Sequence, residues 1–168
     1  MYGYVGCQSI KFSVSDYPIG VQIKSKKLLE QWIKDTNQKP NNIRLIAATF
    51  VIDLQGYLRI AERHSEHIAC SGGEKVFSAG EIFLSSQYSN REVIEISNQS
   101  TGFCPESKSW LAVQQALNRI PLNHPGEFTT KFIFRRCTQC NQINIVKENL
   151  FICSVCNAKL SSSWNCGV

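Results

Sequence analysis

CTQCNQINIVKENLFICSVC, residues 137 to 156, is the stretch that decides how the last quarter of this chain folds. It contains two Cys-x-x-Cys pairs, Cys137 with Cys140 and Cys153 with Cys156, separated by twelve residues. A Cys-x-x-Cys turn places two sulfur atoms on one side of a metal ion, and a hairpin returns the second pair to the other side. The spacing therefore predicts a closed tetrahedral site of four thiolates, with no position left for an activated water.

The residues between the two pairs fit such a hairpin. Ile143 and Ile145 predict a strand, Lys147 to Asn149 a turn, and Leu150 to Ile152 a second strand. The segment from about residue 135 to residue 158 resembles a zinc ribbon, which implies a structural Zn²⁺. Zinc binding, on the order of 10 kcal/mol in isolated fingers and ribbons, would replace the core that so small a hairpin lacks.

Asparagine occupies the same position in both cysteine pairs. Asn141 and Asn157 each follow the second cysteine of a pair. The chain often turns there through a left-handed conformation, which asparagine adopts more readily than other residues with a side chain. We therefore predict that the two cysteine turns have the same backbone geometry.

The overall composition indicates one globular domain with a small appendage. The 168 residues are 43% hydrophobic and 18% charged, which is enough apolar chain to bury a core. We expect residues 1–130 to form an α+β domain and residues 131–168 to form the zinc ribbon appendage.

No sequence signal points to a membrane or to secretion. The first twenty residues lack the basic and apolar regions of a secretory signal, and no uncharged apolar run approaches the roughly 20 residues that span a bilayer. Without such a signal, eight cysteines indicate bound metal or reduced thiols rather than disulfides. We expect a soluble cytoplasmic protein with no membrane partner.

The remaining segments predict an α+β fold with a mainly antiparallel sheet, two amphipathic helices and the C-terminal four-cysteine ribbon. The helices are predicted at residues 25–34, behind Ser25 as N-cap, and at residues 106–120. The predicted strands are a hairpin over residues 43–62 with its turn at residues 53–56, and the segments 75–84, 91–97 and 128–134.

RHSEHIACSGGEKVFSAGEI, residues 63 to 82, concentrates polar side chains that catalysis could use. His64 with Glu66 or Glu81 could form a general acid–base pair, or only a hydrogen-bonded polar turn. Cys70 or Cys104 could act as a nucleophile with His64 or His67 as base, or could simply pack in the core.

The same segment contains half of a metal-dependent deaminase signature. His64-Ser65-Glu66 matches the His-x-Glu half, but the Pro-Cys-x-x-Cys half is missing, because the only Cys-x-x-Cys pairs that follow belong to the ribbon. The sequence therefore argues against a deaminase.

A longer pattern of residues crosses this region. It comprises His64-Ser65, Gly72-Gly73, Val76, Ala79-Gly80-Glu81, Ser97-Asn98-Gln99-Ser100 and Pro105. Over about residues 63 to 120 it resembles a domain shared by bacterial toxin-linked proteins and plant IQ-motif calmodulin-binding proteins. The resemblance implies that His64, Ser65, Glu81 and Ser100 converge on one cleft, with the glycines allowing close backbone approach. Where that domain has Gly-His-Tyr, this chain has Thr101-Gly102-Phe103, so two polar side chains are missing.

The tail predicts a binding role as well as a structural one. Residues 127–168 carry five basic side chains against two acidic ones, and aromatic residues lie among them. The basic residues are Lys131, Arg135, Arg136, Lys147 and Lys159, and the aromatic residues that lie among them are Phe132, Phe134, Phe151 and, near the end, Trp164. Such side chains can hold a phosphate backbone and stack bases, or they can cover the small core of the ribbon.

Two functions follow from these patterns. The first is a zinc-ribbon binding or accessory protein for a protein or nucleic acid partner, with a bacterial defence or toxin-linked setting implied by the resemblance alone. The net charge of +5 permits a nucleic acid partner without requiring one. The alternative is a hydrolase or transferase with a polar cleft formed by His64, Glu66, Glu81 and Ser100.

Overall fold

The computed structural model describes residues 1–14 and 16–167 and confirms the α+β fold class. The helices are α1 Gln8–Ser13, α2 Lys26–Asp35, α3 His67–Cys70 and α4 Trp110–Arg119. The strands are β1 Val21–Ile23, β2 Leu45–Ile52, β3 Leu58–Glu62, β4 Ser78–Ser85, β5 Val93–Ile96, β6 Ile133–Arg136 and β7 Ile143–Val146.

Strands β1 to β5 form one antiparallel sheet in the order β1-β3-β2-β4-β5. The predicted hairpin is its centre, because β2 and β3 pair directly across the turn at residues 53–56. In that turn the Gly56 amide donates to the Asp53 carbonyl at 2.9 Å, and Gly56 has a φ of 75°. Glycine suits this position because it adopts positive φ without a steric penalty.

Both faces of the sheet are covered. On one face, Ile46, Phe50 and Ile52 of β2 pack in a core with residues of α2 and α4. On the other face, Val51 of β2 packs with Ile68 of α3 in a second, smaller core. Burial on both sides explains why β2 reads as a nearly continuous apolar run rather than as an alternating one.

The two predicted helices lie where the sequence indicates. Helix α2 begins after Ser25, whose hydroxyl accepts a hydrogen bond from the Leu28 amide at 3.2 Å, as expected of an N-cap. Helix α4 is preceded by a single 3₁₀ turn over Ser107–Ser109, so the predicted helix is regular only from Trp110 onward.

Both edges of the sheet end in short or covered strands. Strand β1 has three residues. Along β5, the Val93 amide donates to the Asn123 carbonyl and the Thr129 amide to the Ile96 carbonyl, each at 2.9 Å. The loop that follows α4 therefore satisfies backbone groups that an edge strand would otherwise leave open.

The ribbon hairpin differs from the prediction. Strand β7 pairs with β6, and the first cysteine turn is itself the loop that joins them. The predicted strand at Leu150 to Ile152 is wrong, since Leu150 and Ile152 form only isolated bridges to Lys147 and Lys159. The predicted strand over residues 128–134 is regular only from Ile133. The elements α1, β1 and α3 are too short to show in the sequence pattern.

Candidate metal centre

The four predicted cysteines converge on one point. Their sulfur atoms all lie within 4.8 Å of one another, with Cys137 Sγ 3.6 Å from Cys156 Sγ and Cys140 Sγ 3.5 Å from Cys153 Sγ. Sulfur atoms bound tetrahedrally about 2.3 Å from an ion are separated by about 3.8 Å. The cluster, which has no disulfide, therefore fits a metal ion held by thiolates.

The two cysteine turns have the same geometry, as predicted. The amides of Asn141 and Asn157 donate to the carbonyls of Cys137 and Cys153, each at 3.0 Å. The φ angles of the two asparagines are 66° and 59°, in the left-handed region. In each turn the first cysteine also donates its amide across the turn at 2.8 Å, Cys137 to Gln142 and Cys153 to Ala158.

Backbone amides point at the first sulfur of each pair. Hydrogen bonds from the amides of Cys156 and Val155 lower the pKa of Cys153 to about 6. The equivalent amides of Cys140 and Gln139 lower the pKa of Cys137. Because amide donors stabilise the thiolate form, the first cysteine of each pair favours the protonation state in which it binds metal, whereas burial and hydrogen bonds with the neighbouring thiols raise the pKa of Cys140 and Cys156.

Asn144 supports the second cysteine turn, and the sequence pattern did not predict this role. Its side chain is almost fully buried on β7, and its Oδ1 accepts from the Ser154 amide at 2.9 Å. Its Nδ2 lies 3.6 Å from Cys153 Sγ. Asn144 thus connects the hairpin to the second cysteine turn. The one feature of the sequence that could have indicated this role is a polar residue between Ile143 and Ile145 in a predicted strand.

The basic and aromatic residues of the tail serve the fold. The Arg135 guanidinium donates to the carbonyls of Ser161 and Ser162, at 3.0 and 2.7 Å, and lies over the Phe151 ring. Phe134 is fully buried, and the Trp164 indole donates to the Cys104 carbonyl at 2.8 Å. Of the two readings of the tail, these contacts support the structural one.

Three aliphatic side chains on the ribbon remain exposed. Leu150 is 62% exposed, Ile152 46% and Val155 65%. Leu150 and Ile152 alternate along the chain with the partly buried Phe151 and the buried Cys153.

A basic groove, here called the α2 groove, lies between α2 and residues 88–91. It has a volume of about 850 Å³ and is lined by Lys26, Lys27, Lys34, Glu30, Arg91 and Tyr88, among others. The Glu30 carboxylate binds the Arg91 guanidinium at 2.7 and 2.9 Å and neutralises it. Within residues 1–14 and 16–167, no ion pair engages the three lysines, and the Tyr88 side chain is 77% exposed.

The residues predicted for catalysis lie on three different parts of the chain. His64 and Glu66 are exposed between β3 and α3, Glu81 is partly buried on β4, and Ser100 is buried in the loop after β5. Across the described part of the chain, no hydrogen bond or ion pair joins any two of these four side chains. Their catalytic roles stay a prediction.

His67, rather than His64, reaches the sheet. Its Nε2 lies 3.0 Å from the Gly80 carbonyl, and desolvation lowers the pKa of the ring. A Cβ at Gly80 would lie 1.9 Å from the Ser97 carbonyl oxygen, which confirms that this glycine allows close backbone approach. The His67 contact therefore links α3 to β4.

The two internal cysteines considered as nucleophiles are poorly suited to that role. Burial raises the pKa of Cys70 to about 12. A hydrogen bond with Cys166, followed by burial, raises the pKa of Cys104. Both thiols therefore stay protonated in the resting protein at neutral pH, whereas a catalytic cysteine that attacks a substrate acts as a thiolate.

Comparison with other proteins adds no assignment. No family model, curated protein or solved structure matches this chain. The likeness of residues 63–120 to the toxin-linked and plant domains therefore has no further support. Among the helices of the described residues, none combines the length and apolar character needed to cross a membrane.

Proposed function

We propose that this protein is a zinc-ribbon accessory protein that binds single-stranded nucleic acid in the α2 groove. The donor set of four thiols favours Zn²⁺ over harder ions such as Mg²⁺ or Ca²⁺, which take oxygen ligands. With four protein ligands the zinc is structural. A reducing cytoplasm suits these thiols, and the bacterial defence or toxin-linked setting rests on the resemblance alone.

The observation that carries the proposal is the composition of the α2 groove. Four basic side chains line it against the one carboxylate of Glu30. Since Glu30 is bound to Arg91, the three lysines present free positive charge to a ligand. Phosphates are the natural counterpart, because lysine binding to them releases condensed counterions.

Tyr88 is the reason to favour a single strand over a duplex. An aromatic ring exposed beside unpaired lysines can stack on a base while the lysines hold the backbone, as in sequence-tolerant binding of single strands. Bases in a duplex are already stacked and do not offer their faces. The basic residues of the ribbon contribute less, since Arg135 is bound to the tail carbonyls.

The test is a gel-shift titration with a single-stranded oligonucleotide at several salt concentrations. We expect binding that weakens as salt rises, and a triple Lys26→Gln, Lys27→Gln, Lys34→Gln variant whose log–log salt slope is smaller by about 2, since each phosphate contact contributes about 0.7. The matched control neutralises Lys11, Lys75 and Lys147, which lie outside the groove. Equal effects of the two triple variants, or no shift at low salt, would overturn the proposal.

The structural role of zinc is tested separately. We expect one equivalent of zinc in the purified protein, and a chelator that removes it should abolish hydrogen-exchange protection in β6 and β7 while the protection of β2 persists. Acidification should release the metal, because protons compete with it for the thiolates. Protection in β6 and β7 that survives complete zinc removal would contradict a structural role.

The exposed aliphatic residues of the ribbon support a second candidate, a protein partner. Leu150, Ile152 and Val155 are apolar side chains of the ribbon that stay exposed to solvent. A Leu150→Ser, Val155→Ser variant should keep its zinc and its oligonucleotide affinity but lose a partner recovered with the wild-type protein. Recovery of the same partner with both proteins would remove this surface from consideration.

A further inference from the structure

Two thiols distant in sequence meet where the ribbon joins the main domain. Cys104 lies in the loop after β5 and Cys166 in the tail beyond the ribbon, and neither is exposed to solvent. They share a small core with Phe134 of β6. Both are free cysteines, and this shared core places their side chains near each other.

Both segments are held in place by other hydrogen bonds. Trp164 donates its indole N–H to the Cys104 carbonyl at 2.8 Å. Asn165 forms two bonds with the backbone of Arg136, accepting from the amide at 2.9 Å and donating to the carbonyl at 2.7 Å. The residues immediately before Cys166 therefore fix its position relative to both β6 and the Cys104 loop.

The backbone of Cys104 is unusual. Its φ is 49°, although it has a side chain and precedes Pro105, a position that normally favours extended backbone. Conformations of this kind cost free energy and persist only where the surroundings hold them. Here the Cys104 amide donates to the Ser100 carbonyl at 2.7 Å, and the thiol lies 3.3 Å from the Thr101 carbonyl within the same tight turn.

We propose that Cys104 and Cys166 form an intramolecular disulfide when the protein is exposed to hydrogen peroxide. The bond would join the main domain covalently to the tail and enclose the whole zinc ribbon between its two ends. Since both thiols are buried, the oxidant must be small and uncharged, which hydrogen peroxide is. The bond does not depend on nucleic acid binding in the α2 groove.

The chemistry balances without any further reactant. The Cys166 thiolate attacks one oxygen of the peroxide, the O–O bond breaks, and hydroxide leaves and takes up the proton lost by Cys166. The Cys104 sulfur then attacks the sulfur of the Cys166 sulfenic acid, the S–O bond breaks, and water leaves with the Cys104 proton. The two thiols lose two electrons in all, and one peroxide is reduced to two waters.

The electrostatic environment supports this order of attack. The hydrogen bond with Cys104, and then the positive charges of Arg136 and Arg135, lower the pKa of Cys166. The same hydrogen bond raises the pKa of Cys104. A stabilised thiolate beside a protonated thiol is the arrangement of an attacking cysteine and its resolving partner.

The experiment treats the full-length, metal-loaded protein with one equivalent of hydrogen peroxide, alkylates the remaining thiols after unfolding, and identifies peptides by mass spectrometry. We expect a linked Cys104–Cys166 peptide that has lost two hydrogen atoms and reverts on reduction, with zinc retained. Recovery of both cysteines in alkylated form, or zinc release and ribbon oxidation before any link forms, would overturn the proposal.

Variants separate a specific bond from general oxidation. Cys166→Ala should abolish the linked peptide and leave Cys104 free, since the remaining thiol has no nearby thiolate. Cys70→Ser removes another buried cysteine and should leave the link intact; its loss in that variant would count against the proposal. Circular dichroism of each variant shows whether it is folded. If Cys166→Ala does not fold, Cys104→Ser should abolish the linked peptide in the same way.

Discussion

Asn141 and Asn157 occupy equivalent positions in the two cysteine turns, each with positive φ and each donating its amide to the carbonyl of the first cysteine at 3.0 Å. The candidate metal centre is therefore built from two copies of the same local element. A sequence pattern repeated at two places produces two half-sites, and the fold of the ribbon brings them face to face.

Replacing one of these asparagines by alanine should weaken the metal centre. We expect Asn157→Ala to lower the stability of the zinc-bound ribbon by about 1 kcal/mol, because a left-handed backbone is costly for residues with a Cβ. Asn157→Gly is the matched control and should retain wild-type zinc affinity, since glycine has no such cost. Competition with a chromophoric chelator measures both, and equal affinities for the two variants would contradict the explanation.

Gly80 should tolerate no side chain. The Cβ of Gly80→Ala would fall 1.9 Å from the Ser97 carbonyl oxygen, so β4 and the chain after β5 must separate. We expect a loss of about 3 kcal/mol in the free energy of unfolding, at the upper end for overpacking. Denaturant unfolding checks this against Gly126→Ala, whose Cβ would meet nothing within 4 Å. A similar midpoint for both variants would show that the sheet adjusts freely.

The ion pair behind the α2 groove should contribute far more than the ion pairs at the surface. Arg91 and Glu30 have side chains only 5% and 17% exposed, so Glu30→Gln leaves a largely buried guanidinium without its partner charge. We expect a loss of about 3 kcal/mol. Glu127→Gln breaks the exposed pair with Lys131 and should change stability by less than about 1 kcal/mol. Thermal unfolding of both variants measures whether Glu30→Gln loses more stability than Glu127→Gln, and equal losses would contradict the prediction.

His67 should make the stability of the protein depend on pH. Because desolvation lowers its pKa in the folded state below the ordinary value of 6.5, the unfolded chain binds a proton more readily. Its contribution to stability is therefore complete above about pH 6.5 and is lost as the pH falls toward the folded-state pKa. We expect His67→Gln to unfold with a smaller pH dependence over this range. An unchanged dependence would place the effect at other groups.

Features set by neighbouring residues were predictable from the sequence. The cysteine spacing, the Ser25 cap and the turn at residues 53–56 are each determined within a few positions of chain, and each was predicted correctly. The strand at Leu150 to Ile152 was predicted wrongly, because the apolar pattern there does not reveal that β7 pairs with β6 instead.

Contacts between distant segments could not be read from the sequence. Nothing near Cys104 indicates that Cys166 will lie beside it, and Asn144 supports Cys153 only once the hairpin has formed. The α2 groove likewise combines lysines of one helix with Tyr88 from a loop more than fifty residues later. Such juxtapositions are products of the tertiary fold.

The three-residue β1 and the loop bonded along β5 have a consequence for behaviour at high concentration. An extended strand with free amides and carbonyls invites a second molecule to add its own strand, which is how many sheets begin to aggregate. Here the edge strand β1 has too few residues for such an addition. At the other edge, the hydrogen bonds that β5 makes with Thr129 and Asn123 already occupy some of its backbone groups. The sheet is thereby guarded against fibril-like growth through its sides.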